Sequence, residues 1–187
     1  FSWESIFISL FLLGIALLLF VIFTLKESHE PHKESFDFKA ITSRYKNVLK
    51  DRSFIIYTLS SGFALGAMFA YITGSSFVFI KYFGLHEQVY ALVFGANSLG
   101  FMILSIINAR LVFWCQPRTL LGLGLALMCA FSLLLMFFDS FWLFEVALLC
   151  AIACLGLIAP NAVTLAMSRF KEHSGTASAM LGTTQFA

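Results

Sequence analysis

The sequence predicts an all-α integral membrane protein, a polytopic helix bundle, and three observations predict it. The chain of 187 residues is 60% apolar and 12% charged, whereas soluble domains run nearer half apolar and a quarter charged. Five apolar stretches, at 5–25, 54–80, 88–107, 119–138 and 141–168, are each long enough to cross a bilayer core of about 30 Å at about 1.5 Å per residue. Third, the basic residues are lopsided. When the turns are assigned alternately to two sides, Lys81 alone of the 12 Lys and Arg residues falls on the second side. Basic loops stay in the cytoplasm. The loops at 26–53, 108–118 and 169–175 are therefore predicted to be cytoplasmic, and the turns at 81–87 and 139–140 to face outward.

A sixth apolar stretch opens near Thr176 and stops at Ala187, and the chain begins with Phe1 rather than Met. Both ends read as cuts through a longer protein. A signal peptide would be one short apolar core behind a basic start, which this pattern is not.

The first segment, 1–25, is the plainest. Trp3 suits an interfacial position, the run is unbroken to Leu25, and Lys26 and Glu27 end it. Residues 26–53 follow as a central polar loop. It starts as Lys-Glu-Ser-His-Glu-Pro-His, charged and proline-bearing like a loop. Phe38, Ile41, Tyr45, Val48 and Leu49 then recur at helical spacing among basic residues. That is the pattern of an amphipathic helix, lying either at the membrane surface against anionic headgroups or free as a solvated linker. His29 and His32 stand near three glutamates, and a hydrophilic loop explains them better than a metal site. No metal or other cofactor is expected.

Residues 54–187 form the rest of the bundle. The first segment there has two unlike faces. At about 100° per residue, Tyr57, Ser61, Met68, Tyr71 and Ser75 share one side, while Gly62, Gly66, Ala70 and Gly74 recur on roughly the opposite side. Small residues let a second membrane helix approach. The expectation is a helix packed along its glycines, with its polar side toward something wet or chemically varied. The next segment aligns Tyr90, Phe94, Asn97 and Phe101, and Asn108 extends that side. An amide near the membrane centre must find partners, since desolvating it alone costs several kcal/mol. Asn97 bonds either to a neighbouring helix or into a cavity.

The stretch 119–138 carries a short ladder of Gly122, Ala126 and Ala130 and little chemistry. Asp139-Ser140 makes a tight hairpin. The following stretch holds Glu145, then Pro160, Asn161, Thr164 and Ser168. Pro160 should kink its helix and release a carbonyl. Glu145 is the one formal charge well inside an apolar run, and intramembrane acids are candidates for function by default. It either snorkels or pairs structurally, or it carries a proton or touches cargo. The last segment again mixes small residues with Thr183, Thr184 and Gln185. Cys115, Cys129, Cys150 and Cys154 make no disulfide framework and no metal set.

These features exclude several functions. No nucleophile–base pair, clustered His and Asp, or phosphate-cradling glycine loop is present, so an enzyme is not expected. A non-transporting receptor or assembly protein would account for the helices and their small-residue ladders. A transporter also accounts for uncharged polar residues on several helices beside a proline.

The segments GFALGAMFAYITGSSFVFI, FGLHEQVYALVFGANSLGFMI, NARLV and GLIAPNAVTLAMSRFKEHSGTASAMLG resemble the Bcr/CflA branch of the major facilitator superfamily, bacterial multidrug efflux proteins that exchange drug for protons. The resemblance covers nearly the whole chain and implies the second half of a major-facilitator fold. Residues 1–25 would be the family's sixth helix, 26–53 the central cytoplasmic loop with its amphipathic helix, and 54–187 a C-terminal half-bundle of four full helices and the start of a fifth. It implies proton-coupled efflux of drugs or other small amphipathic molecules across the bacterial inner membrane by alternating access, with no competence in the fragment alone. Partners would be a drug-like molecule, protons, membrane lipids and the missing N-terminal half, and no nucleic acid. Ser61, Met68, Tyr71, Ser75, Asn97, Phe101 and Asn161 would bind substrate, and Glu145 is a candidate proton-linked acid. An uptake transporter for a sugar, nucleoside or similar metabolite is the alternative within the superfamily. Two departures stand out. Gly74-Ser75-Ser76-Phe77 replaces the family's Gly-Ser-Pro-Phe, which should leave the outer helix end straighter. Asn108, Arg110 and Arg118 remain where an echo of the Asp-Arg gating motif is usual, without its aspartate.

Overall fold

A computed structural model describes residues 3–25, 38–170 and 174–186. His29, His32 and Lys171 lie outside the described residues, as does the side chain of Ile41. The chain divides into two units, Phe1–Asp37 and Phe38–Ala187. The described helix of the first is α1 (Glu4–Thr24), in which no residue is buried. A helix that is apolar all round is kept out of water, as a membrane span is.

The second unit contains α2 (Phe38–Lys50), α3 (Arg52–Ser76), a π-helix (Phe77–Tyr82), α4 (Glu87–Leu111), α5 (Pro117–Leu134), α6 (Phe141–Met167) and α7 (Ser174–Phe186). Among the described residues, five helices are long and apolar enough to span a membrane: α1, α3 with its π-helix, α4, α5 and α6. An all-α membrane bundle is therefore what the described residues form.

The second unit is organised around α6, which packs against α5, α4 and α3 and also touches α7. Residues 151–158 of α6 are all buried, so its neighbours cover it on every side. Two glycines set how close they come. A Cβ on Gly156 would lie 2.7 Å from the Ser105 nitrogen and 2.8 Å from the Phe101 carbonyl, and one on Gly124 would lie 2.9 Å from Ile158. The first two atoms are backbone and cannot swing aside. Glycine at 156 is thus the condition for the α4–α6 contact.

The pairing along that contact runs in order. Gly100 meets Leu149, and Ser105 meets Gly156, so α4 and α6 run parallel. Pro160 does not divide α6, which continues through it to Met167. Its missing N–H leaves the Gly156 carbonyl without the usual i→i+4 donor, while the Pro160 carbonyl accepts from the Thr164 hydroxyl at 2.7 Å.

The face expectation for α3 is reversed in part. Its polar side is the packed one: Ser61 and Ser75 are buried, and Tyr57, Met68 and Tyr71 lie against the core of Ala64, Leu155 and Ile158. The glycine side is open, since a Cβ on Gly66 or Gly74 would meet nothing within 4 Å, and only Gly62 has a close neighbour, the Thr184 carbonyl at 3.4 Å. Beyond Ser76 the helix does run on without the family's proline, but with wider i→i+5 bonding, as in Phe83 N–H to the Val78 carbonyl at 3.0 Å. Gly84 then turns the chain at φ +67°, where a side chain would be strained. Phe79, fully buried there, sits among Phe83, Tyr90, Phe141 and Phe144 at centroid distances of 6.0–6.3 Å.

At the other end, Asp51 caps α3 by accepting from the Phe54 N–H at 2.9 Å, and Arg169 Nε donates to Asp51 at 2.9 Å. The cap suits the helix terminus. Val48 of α2 is buried with Phe54, Ala166, Ala177 and Leu181, whereas Phe38, Tyr45 and Leu49 are exposed.

Candidate functional site

Three helices bring polar side chains together toward the end of the bundle that holds the α3–α4 and α5–α6 turns, the end that the sequence predicts to face outward. Tyr71 comes from α3, Asn97 from α4 and Glu145 from α6. Asn97 is 0% exposed and Glu145 8%, so Glu145 turns inward rather than snorkelling to water. Asn97 Nδ2 donates to Glu145 Oε2 at 3.5 Å, which is long beside the usual value of about 2.9 Å. Asn97 Oδ1 has no donor, and the Tyr71 hydroxyl has no hydrogen-bond partner, although it is near enough to Asn97, Glu145 and Tyr90 to feel their dipoles and charges. The Tyr71 ring stacks on Phe94, with centroids 5.4 Å apart and planes 8° from parallel.

Beside this group Ser75 Oγ and the Tyr90 hydroxyl are 2.9 Å apart in a hydrogen bond. Tyr71 and Ser75 also border a cavity of about 320 Å³ shared with Gly74, Phe144, Met128 and Leu148. The small residues of α3 thus supply room on one flank of the polar group. Met68 stands farther along α3 and packs against the core.

The remaining residues predicted to bind substrate lie elsewhere. Asn161 Nδ2 donates to Asn108 Oδ1 at 2.6 Å and to the Leu157 carbonyl at 2.7 Å, with both asparagines nearly fully buried. Phe101, Ser105, Asn108, Pro160 and Asn161 border a cavity of about 490 Å³. Ser61 accepts a hydrogen bond from Gln185 Nε2, which ties α3 to α7, and Thr58 one turn away is buried without a partner. The structure therefore separates the predicted residues into an outer group around Asn97, a second around Asn161, and the single Ser61–Gln185 link.

Tyr90, Asn108 and Gln185 were not among the predicted site residues, yet each is the direct partner of one. The signal was present for two of them: Tyr90, Phe94, Asn97, Phe101 and Asn108 lie on one side of α4. Gln185 has no such pattern around it. Pairing depends on which helix lies opposite, and periodicity within one helix does not report that.

A sequence profile of the Major Facilitator Superfamily matches residues 1–187. The chain is 30% identical over 186 residues to the uncharacterized MFS-type transporter YdgK of Bacillus subtilis, covering 97% of this chain and 46% of that protein. It is 26% identical over 200 residues to the bicyclomycin resistance protein homolog of Haemophilus influenzae, covering 100% of this chain and 48% of the relative. It is 24% identical over 187 residues to the multidrug resistance protein MdtL of Salmonella heidelberg, covering 99% and 47%. The chain thus spans about half the length of the relatives it matches. With a profile matched from end to end over an all-α membrane bundle, the chain belongs to the major facilitator superfamily.

Proposed function

We propose that this chain is part of a Bcr/CflA-type exporter that moves drugs or other small amphipathic molecules across the bacterial inner membrane in exchange for protons, by alternating access. The observation that carries this reading is the convergence of Tyr71, Asn97 and Glu145 from three membrane-spanning helices beside stacked aromatic rings. Polar groups deep in a membrane bundle are costly unless they are paired, and ionisable ones there are candidates for binding or transport. Aromatic faces offer area to varied apolar cargo, and Met68 can adapt its shape. The relatives named for bicyclomycin and multidrug resistance align with essentially all of the chain, which supports drugs over sugars or nucleosides as cargo.

In this reading residues 1–25 are the helix before the central loop, 26–53 that loop, and 54–187 the C-terminal half-bundle. The loops at 26–53, 108–118 and 169–175 face the cytoplasm. The two halves of the whole protein rock about a central cavity, and Tyr71, Ser75, Asn97, Phe101 and Asn161 meet the cargo with Ser61 and Met68 behind them. Glu145 is the proton-linked candidate within this half. Expression of the full-length protein should lower drug accumulation in cells, and an uncoupler that collapses the proton gradient should restore it. Unchanged accumulation across a broad drug panel would sink the proposal.

A further inference from the structure

Helix α2 meets the bundle with one side and leaves the rest of its apolar and basic surface bare. Val48 is buried in one cluster with Phe54 of α3, Ala166 of α6 and Ala177 and Leu181 of α7, so α2 is seated on the ends of three helices. At about 100° per residue, Tyr45, Phe38 and Leu49 fall about 60–100° round from Val48, and Lys46 and Lys50 fall about 160° from it on either side. The first three form an apolar stripe, 74% exposed at Phe38 and 55% at Leu49. The two lysines are exposed as well. The helix has four basic residues, Lys39, Arg44, Lys46 and Lys50, and no acidic one. Among the described residues Lys46, Lys50 and the exposed Arg52 make no ion pair. The carboxylate next along the chain, Asp51, is already held by Arg169 and the Phe54 amide.

The neighbours of α2 set the level of this surface. Asp51 alone joins α2 to α3, and the exposed Ile56 and Leu59 open the apolar flank of that spanning helix within about two turns. The α4–α5 turn lies at the same end, since Asn108 near the close of α4 meets Asn161 of α6. That turn exposes Phe113 and Trp114 between Arg110 and Arg118. Aromatic residues beside basic ones are the composition of a membrane–water interface.

We propose that the bare surface of α2 docks on anionic phospholipid, with Phe38, Tyr45 and Leu49 at the acyl boundary and Lys46 and Lys50 on the headgroup phosphates. Water would leave the apolar stripe uncovered. An uncharged surface would leave the basic residues unanswered. An anionic lipid layer answers both, because lysine stems lie along apolar surface while their ends reach the headgroups. Each basic residue near such a layer favours it about fivefold. Since Val48 packs on α3, α6 and α7 together, lipid that holds α2 also holds the ends of those helices. This inference concerns the lipid that the protein meets and not its cargo, so it stands or falls apart from the efflux reading.

The test uses the full-length protein in nanodiscs that mix phosphatidylcholine with phosphatidylglycerol. A photoreactive benzophenone amino acid replaces Tyr45 or, separately, Phe38, and mass spectrometry identifies what each probe captures. The same probe in place of Trp142, exposed at the opposite end of the bundle, gives the reference ratio of the two lipids. The expected result is phosphatidylglycerol enriched at least about fivefold at Tyr45 and Phe38 over that reference. Lys46→Gln with Lys50→Gln should bring the ratio back toward the reference, while Lys46→Arg with Lys50→Arg should keep the enrichment. Lipid captured at the reference ratio overturns the proposal, as does enrichment that survives the double change to Gln. Capture of the protein's own N-terminal half overturns it too, because the chain itself would then cover this face. So does the absence of any captured product, which would leave α2 in water. Should the double change to Gln fail to reach the membrane, the wild-type ratio against the Trp142 reference decides by itself.

Discussion

Two polar pairs join α4 to α6, and they differ in how fully they are satisfied. Asn108 and Asn161 meet at 2.6 Å, and Asn161 also reaches the Leu157 carbonyl at 2.7 Å. Asn97 and Glu145 meet at 3.5 Å, and the Asn97 oxygen and the Tyr71 hydroxyl beside them are unpaired. Asn108 lies eleven positions after Asn97, or about 16 Å along a helix. Between the two pairs stands the tight contact of Gly156 with Ser105. A buried polar pair is thus not in itself a sign of a binding site, because the same residue types can form a closed strut. What distinguishes the outer group is bonding capacity that the fold leaves free.

The largest effect should come from the contact between the pairs. Gly156→Val places a side chain against backbone atoms at 2.7 and 2.8 Å, and overpacking of this kind costs about 1–3 kcal/mol or more. The expected outcome is a loss of well-folded protein, read by fluorescence-detected size exclusion after detergent extraction. Normal yield and melting would mean that α4 and α6 are not held this closely.

Next come the closed strut and the open group, set against each other. Asn161→Leu leaves the buried Asn108 amide without its partner and should destabilise the protein by about 1–3 kcal/mol. The double change Asn108→Leu with Asn161→Leu should regain part of that loss, because both polar partners are then gone. Under the proposed efflux function, Asn97→Ala and Tyr71→Ala should act the other way round, altering the drug profile of the full-length protein while membrane levels stay intact. A fall in membrane levels for these two, with the profile unchanged, would make the outer group a packing device like the inner one.

A smaller change is expected from Tyr90→Phe, which removes the Ser75 partner at 2.9 Å. One neutral hydrogen bond contributes about 0.5–1.5 kcal/mol, and the melting temperature should register it with little effect on transport. The smallest effect concerns the Asp51 cap at the far end of α3. The Phe54 amide chiefly, and Arg169 after it, hold the Asp51 carboxyl below its ordinary value of 3.8 against the opposing cost of burial. Its contribution to stability is therefore present above the unfolded value and is lost as pH falls through the lowered folded value. Arg169 is 49% exposed and Asp51 20%, so solvent screening keeps this contribution small. Melting curves for wild type and Asp51→Asn should converge as pH drops below about 4.

Much of the architecture was legible from residue order. The apolar stretches at 54–80, 88–107 and 141–168 correspond to α3 with its π-helix, α4 and α6, with ends shifted by a few residues as capping residues such as Asp51 join or leave. Of the candidate residues, Tyr71, Asn97 and Glu145 lie on three different helices, and their convergence was not written in any one of them. Nor was the orientation of α3. The glycine ladder read as a packing face, but the side carrying Ser61 and Ser75 is the one set against α6 and α7. Both faces of α3 are compatible with its own periodicity. The choice between them depends on which neighbour fits.

Span number, span length and the uneven distribution of basic residues were decided by the sequence alone, because transfer into a bilayer is a property summed residue by residue along one segment. Partnership was decided only by the tertiary structure. Gly156 permits α4 to touch α6, and the depth and rotation of that contact place Asn108 within reach of Asn161 while holding Asn97 slightly too far from Glu145. A hydrogen bond gains or loses most of its strength within a few tenths of an ångström. That precision arises from the packing of whole helices against one another, which no single stretch of sequence contains.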